Sequence, residues 1–162
     1  MQTNHPGVTL VPTGEGKAFW VTTSLVTCKI VSQDTEGRFS LFESLDQPDS
    51  GPPMHVHHRE DESYYILQGD YEIHREGEAP LRATVGACVH VPRGTIHTYK
   101  NMASTPGRMV VMTTPGGLEG FFAEAGQPAT DLTSPPTEPP DFGKMAAIAR
   151  KYDMEITGPP PR

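Results

Sequence analysis

The stretch PPMHVHHREDESYYILQG, residues 52–69, decides how this chain is read. His55 and His57 stand two apart, so on an extended strand both imidazoles leave the same face and can converge on one ion. Glu62 is an odd number of residues from both and would face the other way on one continuous strand. The intervening HHRED therefore has to hold a turn or bulge that resets the register, and Arg59 to Asp61 is polar enough for that turn. A strand then runs from Glu62 to Gln68, and Gly69-Asp70 makes the next turn. A second window, GACVHVPRGTIHTYKN at residues 86–101, places the turn signal Pro92-Arg93-Gly94 between two strands. His97 falls near a strand start, able to face inward with Tyr99 and Asn101.

Three imidazoles and one carboxylate, from His55, His57, His97 and Glu62, form a mixed nitrogen and oxygen set. It suits one divalent transition ion (Fe, Mn, Ni, Cu or Zn) and not Ca, Mg or an iron–sulfur cluster. Four protein ligands leave room for substrate or O2 only on a five- or six-coordinate ion, which weighs against a closed tetrahedral zinc site. The other histidines read more plainly. His58 alternates away from His57 as a solvated residue, His90 is a hydrogen-bonded strand residue, and His5 and His74 belong to the tail and the surface. Glu60 and Asp61 read as a polar turn, and Asn101 as structural.

Outward from these windows, residues 18–114 are a series of short runs rich in Val, Ile, Thr, Tyr and Phe, broken by Gly, Pro and Asp. The runs fall at 18–32, 37–45, 62–68, 70–74, 87–91, 96–100 and 108–114, enough for a β-sandwich or barrel. No segment there keeps a helical period for three turns, which disfavours a doubly wound α/β fold. Residues 117–125 can make two helical turns. Pro128, Pro135, Pro136, Pro139 and Pro140 then enforce an extended strap. Asp141 can cap a helix to about Tyr152, with Met145, Ile148, Ala149 and Tyr152 on one face, expected to pack on the outside of the β domain or on a second subunit. The expected organisation is an N-terminal arm (1–17), a β domain (18–116) and a C-terminal extension (117–162).

The chain has 162 residues and a formal net charge of −7. A domain of this length buries roughly 70% of its unfolded surface, so a metal is not needed as a staple and is better placed to serve chemistry. The negative charge repels phosphate backbones and anionic membranes, which excludes nucleic acid and membrane surfaces as expected partners. No basic start with an apolar run and no long apolar stretch is present, giving the expectation of a soluble, cytoplasmic chain. Cys28 and Cys88 read as buried small hydrophobes, with their pairing left open.

The two windows resemble the two signature motifs of the cupin superfamily. The first reads H-x-H-x4-E-x6-G and the second G-x5-P-x-G-x2-H-x3-N, matched by His55, His57, Glu62, Gly69, Gly86, Pro92, Gly94, His97 and Asn101. One position departs: the glycine that the family often places six residues before the first His is Asp49, with Gly51 nearby. The resemblance implies an all-β fold, an antiparallel jelly-roll β-barrel with the metal held by His55, His57, Glu62 and His97, and a homodimer. Residues 52–73, TTPGGLEGFF at 113–122 and KYDMEITGPPP at 151–161 are similar to bacterial single-domain cupins related to quercetin 2,3-dioxygenase.

That similarity implies a metal-dependent dioxygenase acting on a small enolisable aromatic such as a flavonol, with O2 as co-substrate. Glu62 would be both ligand and general base, and Tyr64, Tyr99, Met112, Phe39 and Trp20 would line the substrate pocket. A non-redox metal-dependent isomerase, cyclase or lyase, and a small-ligand-binding protein without catalysis, are the alternatives. A requirement of turnover for O2 separates the dioxygenase from the non-redox enzyme, and binding of candidate ligands without conversion marks the binding protein.

Overall fold

The computed structural model describes residues 3–5 and 7–161, so the His5 side chain, read above as part of a tail, lies outside the described residues. A hairpin of β1 (Thr3–His5) and β2 (Val8–Leu10) precedes β3 (Lys17–Val21), β4 (Ser24–Ile30), a 3-10 turn (Ser32–Thr35) and β5 (Ser40–Asp46). Then come β6 (Met54–His57), β7 (Asp61–Gln68), β8 (Asp70–Arg75), β9 (Leu81–Thr84), β10 (Cys88–Val91), β11 (His97–Asn101) and β12 (Gly107–Thr114). The chain ends with α1 (Glu119–Ala125), β13 (Gln127–Pro128), α2 (Phe142–Arg150) and β14 (Met154–Gly158).

Two antiparallel sheets carry the core, as expected for a jelly-roll. One has the order β10-β7-β12-β5-β4-β3-β13 and the other β14-β6-β11-β8-β9. Strict alternation sets the inward faces. β5 buries Ser40, Phe42, Ser44 and Asp46, and β12 buries Gly107, Met109, Val111 and Thr113. β7 sends Glu62, Tyr64 and Ile66 inward.

The turn expected in HHRED has a different cause from a bulge within one strand. β6 belongs to the five-stranded sheet and β7 to the seven-stranded one, so residues 58–60 carry the chain from one sheet to the other. Once the sheets face each other, parity along the sequence no longer matters. His57 and Glu62 point toward the same interior from opposite sides.

The C-terminal segment is more than a cover. Asp141 caps α2, its side chain accepting from the Lys144 amide at 2.9 Å, and Met145, Ile148 and Ala149 are buried against the chain's own core. The helix stops at Arg150, and β14 then pairs with β6, adding an edge strand to the ligand-bearing sheet. Neither this strand nor β9 was visible in the sequence pattern. The strap lies on β3, where the Trp20 indole donates to the Asp131 carbonyl at 2.7 Å.

Cys28 and Cys88 are both free, and only Cys28 is buried; Cys88 is exposed on β10, at the sheet edge. Burial pushes the Cys28 thiol up to about 12. No helix among the described residues is long and apolar enough to cross a membrane.

The loop before β6 explains the motif departure. A Cβ on Gly51 would meet the Tyr99 carbonyl oxygen at 1.8 Å, so the backbones approach too closely there for any side chain. Asp49, where the family often has glycine, keeps a left-handed φ of 60°, a conformation that Asp tolerates better than most residues. Asn101 ties this loop down. Its Nδ2 donates to the carbonyls of Asp46, Gln47 and Thr105 at 3.1, 3.3 and 2.9 Å, and its Oδ1 accepts from the Ala103 amide at 3.1 Å.

Replacing that donor by a carboxylate sets like dipoles against each other in a fully buried place. Asn101→Asp should cost about 3 kcal/mol in urea unfolding, the scale of a buried polar group that loses its partners. A variant as stable as the parent would show that the loop closes without this hub.

Candidate metal centre

His55 and His57 lie on β6, and His97 on β11 stands directly opposite His55 in the strand register. Glu62 reaches in from β7 on the other sheet. One ligand atom from each of the four lies within 4.8 Å of the others. All four residues are buried, with 8%, 3%, 6% and 1% of His55, His57, Glu62 and His97 exposed.

The imidazoles are oriented from behind. Nδ1 of His55 is 2.8 Å from the Pro53 carbonyl oxygen, and Nδ1 of His97 is 2.9 Å from the Thr95 carbonyl oxygen. A carbonyl only accepts, so each Nδ1 carries the proton and donates. The Nε2 of a neutral ring is then left with a lone pair. Yet Nε2 of His97 lies 3.0 Å from Glu62 Oε2, which is itself an acceptor, and the Tyr64 hydroxyl already donates to that oxygen at 2.7 Å. The same Tyr64 hydroxyl is 3.0 Å from Nε2, so its one hydrogen stands before two acceptors, and a cation between them would satisfy both. The donor set and its orientation therefore fit a divalent metal ion, with backbone carbonyls fixing the ligating tautomer.

The charges follow from this crowding. Burial, helped by His97 and His57, pulls His55 down to about 3, so its ring is neutral at physiological pH. Burial opposes a charge on His57, but Glu62 and Glu60 outweigh it and raise its pKa. Burial would raise Glu62, but His57, His97 and His55 overcome it and hold the carboxyl well below the usual carboxylate range.

Glu60 is a site residue that the sequence reading placed in a solvated turn. It is 2% exposed, and its Oε2 lies 3.6 Å from Nδ1 of His57. Neither atom has a hydrogen-bond partner among the described residues. At that distance the carboxylate faces the rear nitrogen of a candidate ligand histidine without bonding it. No spacing rule marks it, because only the crossing between sheets turns it inward. Asp61, read as part of the same turn, clasps the second motif. It accepts from the Arg93 amide at 2.9 Å and from its guanidinium at 3.0 and 3.1 Å, and the Arg93 bonds pull its carboxyl down to about 2.

A cavity of about 90 Å³ opens beside three of the four donors, His55, His57 and Glu62. Of the residues expected to line a substrate pocket, Tyr64 and Tyr99 border this cavity. Trp20, Phe39 and Met112 do not, and strand parity explains each case. Val21, Phe42 and Val111 face the cavity in their place. Trp20 is buried beneath the strap, Phe39 precedes β5 and lines a separate groove with Thr35 and Glu119, and Met112 is 36% exposed. The C-terminal segment adds Leu118, Phe121, Phe122, Met145, Met154 and Ile156, none of which the sequence reading placed there. His58 is exposed beside Glu155, His74 sits beside Glu72, and His90 Nδ1 pairs with the Ser63 hydroxyl at 3.0 Å on the surface.

Comparison with known proteins agrees with this architecture. Residues 42–113 match the family described as Cupin domain. The chain is 27% identical over 119 residues to quercetin 2,3-dioxygenase of Bacillus subtilis, covering 74% of this chain and 35% of that protein. It is 36% identical over 78 residues to the probable oxidoreductase virH of Hypocrea virens, covering 46% of this chain and 35% of that protein. The chain thus spans about a third of the length of the curated relatives it matches. Among solved structures, KdgF from Halomonas sp. superposes with a TM-score of 0.61 at 17% identity, over 70% of this chain and 98% of that one, a likeness of fold. With both motifs on facing sheets and their histidines and glutamate gathered at one point, the geometry and the match over residues 42–113 together support a cupin domain in this part of the chain.

Proposed function

We propose that the protein is a metal-dependent dioxygenase acting on a small enolisable compound, with His55, His57, Glu62 and His97 holding one divalent transition ion. The observation that carries the reading is the pairing of His97 Nε2 with Glu62 Oε2 at 3.0 Å while the rear nitrogen of His97 is tied to a carbonyl. The similarity to a quercetin dioxygenase and to an oxidoreductase supports the redox class. A bound Fe, Mn, Ni or Cu ion would supply Lewis acidity and a redox couple with O2, whereas Zn would supply Lewis acidity alone.

The chain's own residues divide the remaining work. Glu62 takes the substrate's hydroxyl proton as general base. Burial raises its basicity and the three imidazoles, His57 foremost, lower it, so the balance between them sets how readily it takes that proton. Tyr64, whose hydroxyl pKa is raised by burial and by the adjacent carboxylate, stays protonated and steers Oε2 by donating to it. The apolar wall keeps water from the reacting face.

The reading is tested by O2 uptake with protein reconstituted separately with Fe(II), Mn(II), Ni(II), Cu(II) and Zn(II), using enolisable aromatics of graded size and His97→Ala as control. Uptake with a redox-active ion, absent in the control, is expected. Binding of the ion without uptake under any of these conditions would overturn the dioxygenase and leave a non-redox metal enzyme or a binding protein.

Glu62→Gln should lose turnover while retaining much of the metal, and parental activity in that variant would remove Glu62 as the base. Glu60→Ala should weaken Co(II) or Zn(II) affinity by about 10–100-fold, the usual effect of losing a partner behind a ligand histidine. Unchanged affinity would reduce Glu60 to a structural role.

A further inference from the structure

The cavity beside the donor cluster is small and almost wholly apolar, and the chain has arranged it so. Ser24, Ser44 and Tyr99 all touch it, yet each hydroxyl is turned away. All three donate to Oδ1 of Asp46, at 2.6, 2.9 and 3.2 Å, while Tyr71 donates to Oδ2 at 2.8 Å. Asp46 is fully buried and gathers these hydrogens behind the wall. Tyr64 spends its hydrogen on Glu62. The corner formed by His55, His57 and Glu62 is therefore the charged anchor for a bound molecule, with Thr22 a further hydroxyl on the wall, and a second charge set against Val26, Phe42 and Phe122 would meet no Lys or Arg among the described lining residues.

Size follows from the same wall. The cavity of about 90 Å³ is smaller than the roughly 150 Å³ apolar cavity that accepts one benzene, and far below the roughly 300 Å³ at which sites for larger ligands begin. Phe122 packs edge-on against Phe42 with ring centroids 5.0 Å apart, making one rigid end. Met145 and Met154 supply the yielding part, since unbranched thioether chains adjust at low cost. Their adjustment widens the cavity toward a single ring at lower cost than toward a flavonol.

We propose that this site takes a compact ligand of at most one ring, with an ionisable oxygen at the metal corner and an uncharged apolar body, and that the C-terminal segment imposes this limit. The inference rests on the reading of the site as an oxygenase centre and narrows its substrate class. Small 1,3-diketones and simple phenols fit. Polycyclic flavonols and ring compounds with a second, remote carboxylate do not.

Methionine methyl signals of the full chain, with and without added Zn(II), report cavity occupancy through Met145 and Met154. Acetylacetone and catechol should shift both signals, while quercetin and protocatechuate should bind more weakly by about tenfold or more. Phe122→Ala should close most of the gap for quercetin, with Met145→Ala as a second opening variant should the first fold poorly. Quercetin binding to the parent as tightly as catechol would overturn the size limit. Methyl signals that ignore every small probe would overturn the chamber as a ligand site, and no gain in either variant would remove the C-terminal segment as its cause. Ion binding and O2 uptake are read in separate samples, so failure of the oxygenase reading is seen there and the size order is judged here.

Discussion

Everything in this molecule is arranged around the convergence of three imidazoles and a carboxylate in a place where each is nearly out of water. Left to themselves, such groups would separate or change protonation, because crowding buried donors costs several kcal/mol per uncompensated charge. The fold prevents the first by fixing the rings from behind. Backbone carbonyls of Pro53 and Thr95 hold two of them, and the β6 and β11 strands that carry them are hydrogen-bonded neighbours. What remains is a set of lone pairs pointed at one small volume, the condition under which a metal ion is bound rather than merely approached.

A second buried network stands beside the first. Asp46, with a carboxyl that burial pushes up against the pull of its hydrogen bonds, gathers hydroxyls from β4, β5, β8 and β11 and so links the two sheets on the side away from the donors. Tyr99 stacks edge-on against Tyr64, ring centroids 5.5 Å apart, bringing the two networks into contact. One cluster collects acceptors that need a cation, and the other collects donors that would otherwise face the cavity. The pair leaves the space between them apolar.

The clustering of the four candidate donors was legible because its signal is local. A spacing of two on a strand puts His55 and His57 on one face whatever the rest of the chain does, and the Pro92-Arg93-Gly94 turn brings His97 opposite. The pocket was legible only in part. Phe39 and Met112 were chosen for chemical type, but each sits one strand parity away from the inward set, and Trp20 serves the strap instead. Glu60 was lost for the converse reason. A charged residue in a run of charged residues carries no mark of burial until the chain crosses between sheets and turns it behind His57.

By itself the sequence determined the all-β class, the family resemblance and the four donors, since period-two alternation and turn chemistry act over a few residues and need no distant partner. Tertiary structure alone decided what surrounds those donors. That the tail adds β14 beside β6, that Phe122 and Met145 wall the cavity, and that Asp46 draws in hydroxyls from four strands are all consequences of contacts between segments far apart along the chain. Such contacts depend on which faces remain uncovered once the sheets have closed on each other, and no local pattern records that.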